Sequence, residues 1–141
     1  MENRQKIHSF SVAGEASFVI PVAPVTKKNS QIIIRKGNGR PAVIPSKAYR
    51  QYEKEATLFV PKLHIDEPVN VRAIFYMKTA RRVDLTNLNE ALHDMLVHAG
   101  CLEDDNCRII VSTDGSRVRC DRENPRTEVT ITRIAEEDTM S

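Results

Sequence analysis

The sequence predicts an α+β domain, with a mixed β-sheet covered by two main helices. Three observations carry that expectation. Segments 17–21, 69–78, 108–118 and 127–134 carry the apolar alternation and β-branched runs of strands. Segments 46–60 and 85–99 repeat their apolar residues at helical spacing. Both patterns interleave along 141 residues, enough for one core.

Residues 1–16 are mixed and polar and are expected to form a flexible leader before a domain spanning 17–134. "SFVIPVAP" is a short strand ended by Pro21 and Pro24. "VTKKNS" follows as a basic polar turn. "QIIIRKGNGRPAVIP" is a hairpin with "KGNG" as its loop. Ser46 is placed to cap the first helix. Tyr49, Tyr52, Ala56, Phe59 and Val60 form its inner stripe, and Pro61 stops it. In "EPVNVRAIFYMK" the residues Val69, Val71, Ala73, Phe75 and Met77 share one buried face.

The second helix lies in "RRVDLTNLNEALHDMLVHAG". Leu88, Ala91, Leu92, Met95, Leu96 and Ala99 face the core, and Asn87, Glu90, Asp94 and His98 line another face. Gly100 suits the C-terminal cap. The acidic loop "EDDN" at 103–106 leads into "CRIIVSTDGSRVR", one or two strands broken near Asp114–Gly115. "TEVTITRI" is the last strand, and the acidic tail 135–141 is expected to fray. No internal repeat or low-complexity linker divides the chain.

Several classes are set aside. No apolar run approaches a membrane span, and the N-terminus has no signal-peptide core, so a cytoplasmic protein is expected. Cys101, Cys107 and Cys120 are odd in number and are expected as free thiols. His98 with Cys101 and Cys107 matches no common zinc spacing, and there is neither a P-loop nor a dinucleotide fingerprint.

The chemistry concentrates in the carboxylates. Glu90 and Asp94 stand four apart on one helix face, where like charges repel. Asp84 precedes them, with helix capping as its plainer role, and Thr86 can take that role instead. Glu103, Asp104 and Asp105 follow. If the strand after them lies beside the strand ending at Lys78, the loop folds back towards Asp84. Converging carboxylates are costly unless a cation or protons offset them. Hard oxygen ligands suit Mg²⁺ or Mn²⁺. Arg81 and Arg82 lie next to them as phosphate partners, and "TKKNS" adds Lys27, Lys28 and Asn29. Such a cluster framed by cations fits phosphodiester hydrolysis.

The same residues resemble a family. "P-V-T-K-K-N-S" at 24–30, "P-S-x-x-Y" at 45–49, "D-x-x-N-L" at 84–88, "D-x-L" at 94–96 and "G-x-x-x-D-D" at 100–105 occur in the order seen in RusA-type Holliday-junction resolvases. These endodeoxyribonucleases are common in prophages. The resemblance spans most of 18–134. It implies a small α+β homodimer that uses Mg²⁺ to nick four-way DNA junctions. It also implies Asp84 and Asp105 as metal ligands, Asp94 at a further acidic position and as a third ligand, and Asn87 at the start of the helix. Two positions depart from the family pattern. Thr86 stands where it has a second aspartate, and Glu90 where it has lysine. Positions 86, 90 and 94 lie a turn apart, so the longer Glu90 side chain is a candidate substitute for the missing carboxylate. The rival expectation is a junction-binding protein of this fold that no longer cuts.

Overall fold

The computed structural model describes residues 14–27, 31–35, 37 and 39–135, and only the backbone of 31–35 and 42–45. Its elements are β1 (Glu15–Ile20), β2 (Gln31–Arg35), β3 (Pro41–Pro45), α1 (Lys47–Ala56), β4 (Val69–Met77), α2 (Leu85–His98), β5 (Ile110–Ser112), β6 (Arg117–Cys120) and β7 (Arg126–Arg133). The α+β expectation holds. β1, β7, β4 and β5 pair in that order, and β6 also pairs with β4. The β2–β3 hairpin is a separate two-stranded sheet.

β4 is the central strand. It pairs antiparallel with β7, and parallel with both β5 and β6. Parallel neighbours need a crossover between them, and α2 is that crossover. The alternation read in "EPVNVRAIFYMK" holds for Val69, Val71, Ala73 and Phe75, which enter the core, whereas Met77 is only partly buried against it and Ile74, off that face, is buried as well. From α2, Leu88, Ala91, Leu92, Met95 and Leu96 join the same core, and Tyr49, Tyr52 and Ala56 come from α1. Ser46 caps α1 as expected, its hydroxyl accepting from the Tyr49 N–H at 3.1 Å.

Further details differ from the sequence reading. β1 begins at Glu15 rather than Ser17, because Glu15 and Ala16 already pair with Thr132 and Ile131 of β7. Phe59 leaves the inner stripe and is 47% exposed. A 3₁₀ turn at Thr57–Phe59 succeeds α1 there. Three residues per turn instead of 3.6 carry the side chain away from the face that periodicity predicts. Ala99 is only partly buried against the core. No helix among the described residues is long and apolar enough to cross a membrane.

α2 ends on a glycine-dependent cap. Gly100 has φ +85°, a conformation that favours glycine. Its N–H donates to the Val97 carbonyl at 3.1 Å, and the Cys101 N–H donates to the Leu96 carbonyl at 2.9 Å. This is the Schellman pattern. The chain then lies against residues 64 and 65. The His64 N–H donates to the Gly100 carbonyl, the Ile65 N–H to that of Cys101, and the Glu103 N–H to that of Ile65. The cap therefore aims the acidic loop. Gly100→Ala is expected to cost about 1 kcal/mol or more of stability in urea unfolding, with m unchanged.

Candidate active site

α2 starts without a side-chain cap. Asp84 is its N-cap residue by position, yet its carboxylate makes no capping hydrogen bond. The Asn87 amide donates to it instead at 3.3 Å. The Asp84 backbone carbonyl accepts from the Leu88 N–H, the first bond of the helix. Asp84 is exposed, so its carboxylate is spared for other work.

Further along, the burial of five α2 residues turns Thr86, Asn89, Glu90 and His93 towards a pocket of about 430 Å³. Asp105 and Thr113 complete its described walls. Thr86 and Glu90, the two departures from the family pattern, thus face the same space as Asp105.

Asp105 is presented by a folded loop. The Asp104 carboxylate accepts from the Asp105 N–H at 2.7 Å and from the Asn106 amide at 3.1 Å. The Asn106 side chain accepts from the Arg108 N–H at 2.9 Å. The bonds to Asp104, led by the one from the Asp105 backbone, hold its carboxyl below the usual carboxylate range. Asp105 is shifted the other way. Burial raises its carboxyl first, followed by the hydrogen bond and charge of Asp94, which it faces. The acidic loop therefore meets α2 at Asp94 and near Glu90. Folding back to Asp84 was the simpler expectation, but ten residues of helix, about 15 Å, separate Asp84 from Asp94.

Asp94 has a second neighbour. The Lys27 ammonium donates to its Oδ2 at 2.6 Å and stands 5.7 Å from the centre of the Tyr49 ring. Lys27 was expected as a DNA contact; here it is an internal partner of a site carboxylate. Lys28 and Asn29, expected beside it, lie outside the described residues. Arg81 and Arg82 are exposed and share the walls of a pocket of about 230 Å³ with Pro24, Val25 and Thr26. The segment leading into Lys27 and the arginine pair are thus brought side by side.

Three residues of the site were not singled out in the sequence. Asn89 and His93 line the pocket, and the buried Asn89 Oδ1 and His93 Nε2 have no hydrogen-bond partner among the described residues. Burial lowers the His93 imidazole, opposed by the Asp94 charge. The available signal was spacing, because residue 93 follows 86, 89 and 90 on one side of the helix. Tyr49 was read only as core. It is 1% exposed, and its hydroxyl has no partner among the described residues.

The donor chemistry suits a hard divalent cation. Two carboxylates face each other, one of them pushed towards its protonated form, and a third carboxylate lines the adjoining pocket. No three His, Cys, Asp or Glu side chains among the described residues lie close enough to hold a metal ion. In the metal-free protein, side-chain carboxyl NMR should find Asp105 holding its proton to a higher pH than Asp104. Asp94→Asn should bring Asp105 back down towards the ordinary range, because a raising neighbour is removed.

The family profile described as Endodeoxyribonuclease RusA matches residues 21–132. No curated protein matches the chain.

Proposed function

The chain belongs to the RusA endodeoxyribonuclease family, and from that premise we propose that it is a metal-dependent endonuclease that nicks Holliday junctions or related branched DNA. Recombination and repair are the processes that produce such substrates. The observation that carries the reading is the meeting of Asp105 with Asp94 and Glu90, two elements converging on one pocket. Mg²⁺ is the proposed ion, with Mn²⁺ as an alternative, because the donors are carboxylate oxygens.

Asp105, Asp94 and Glu90 are the proposed ligands. Asp84 extends the carboxylate row to the start of α2. When bound, the ion would polarise the scissile phosphate and lower the pKa of an attacking water. Everything else falls to the chain's own groups. Glu90 stands in for the carboxylate missing at Thr86, its side chain leaning back over the preceding turn. Arg81 and Arg82 hold phosphate oxygens, where the fork of a guanidinium matches the geometry. Asn87 keeps the Asp84 carboxylate oriented. A homodimer completes the proposal, because a four-way junction offers two symmetric strands and two nicks need two sites.

One observation favours a second reading. Thr86 supplies no carboxylate, and Lys27 already engages Asp94. A protein that binds junctions without cutting them would show both features. Labelled four-way junction and linear duplex, incubated with Mg²⁺, Mn²⁺ or chelator, separate the two. The proposed enzyme nicks the junction in preference to duplex, only with metal. Asp105→Asn should lower the nicking rate at least about a hundredfold, and Glu90→Gln and Asp94→Asn should each lower it measurably. Salt-sensitive junction binding with no nick under any metal would favour the non-cutting reading. Unchanged cleavage by both Glu90→Gln and Asp94→Asn would remove these two residues from the mechanism.

A further inference from the structure

Lys27 sits where a nuclease of this kind would want a cation of another sort. Its ammonium is 2.6 Å from Asp94 Oδ2, and the same Asp94 carboxylate faces Asp105. Two facing carboxylates repel, and an ammonium on one of them offsets that cost. The contact reaches across 67 positions of sequence, from the turn after β1 to the middle of α2. It is half-sheltered, with the Lys27 and Asp94 side chains 32% and 35% exposed. Tyr49 backs it: the ring is buried in the core, and the ammonium lies 5.7 Å from its centre. The seat is thus formed from three elements, the turn, α1 and α2.

We propose that Lys27 is the resident counter-cation of this carboxylate pair, holding Asp94 beside Asp105 while no divalent ion is bound and giving Asp94 up when one is. This inference rests on the metal-dependent reading above. It assigns Lys27 as a positioning residue acting through Asp94. Once released, the same ammonium is free to meet phosphate, as the basic turn first suggested. Occupancy by Lys27 and by a divalent ion are then alternatives at a single carboxylate, and each weakens the other.

The test is metal binding without DNA and without turnover. Free Mn²⁺ is counted by electron paramagnetic resonance as it is titrated into wild type, Lys27→Met and Lys27→Arg. Lys27→Met keeps the length of the side chain and loses the charge. It should bind Mn²⁺ about fivefold more tightly, the upper end of what a half-exposed ion pair is worth. Lys27→Arg keeps the charge and should bind as wild type does, which a purely structural role for the side chain would not require. Far-ultraviolet circular dichroism confirms that each variant is folded. If Lys27→Met folds and binds Mn²⁺ no better than wild type, the inference is overturned while the metal-dependent reading stands. If neither wild type nor Lys27→Met binds Mn²⁺, both are overturned together.

Discussion

Burying Leu88, Ala91, Leu92, Met95 and Leu96 against β4 and its neighbours fixes the rotation of α2 about its own axis. At full burial each large apolar side chain contributes about 1.5–3 kcal/mol. No arrangement of surface charge competes with that sum. The carboxylates of α2 therefore take whatever positions the apolar stripe leaves them. Glu90 and Thr86 face one pocket, and Asp94 faces Lys27 and Asp105. Electrostatic discomfort at those positions is imposed by the core and resolved locally.

The second constraint is the end of the same helix. Gly100 reverses the chain, and the backbone bonds to residues 64 and 65 hold the reversed segment in place. Asp104 then spends its carboxylate on the loop itself. That leaves Asp105 to face α2. Adjacent aspartates thus have opposite environments and opposite shifts. One acid builds the loop, and the other is delivered by it.

Much of the fold was legible because strands and helices advertise their periods. β4 and α2 were read nearly residue for residue, since each has one face in a single core. Phe59 was misplaced because a 3₁₀ turn changes the period within a segment that still looks helical. The site was legible as a set of residue types but not as a set of contacts. Spacing put Glu90 and Asp94 on one side of α2. It could not say that Asp105 meets Asp94 rather than Asp84, because that depends on the rotation of the helix and on the latch at Ile65. Tyr49 hid for a related reason. A buried aromatic at helical spacing reads as core, and here it is core on one side and the backing of Lys27 on the other.

The central claim is that two elements, α2 and the acidic loop, make one cation-dependent centre. Anomalous diffraction from crystals soaked in Mn²⁺ tests it most directly. The account predicts a peak about 2.0–2.2 Å from carboxylate oxygens of Asp105 and of Asp94 or Glu90, with Lys27 drawn away from Asp94. A peak that avoids Asp105, or Mn²⁺ bound only elsewhere on the surface, would contradict it.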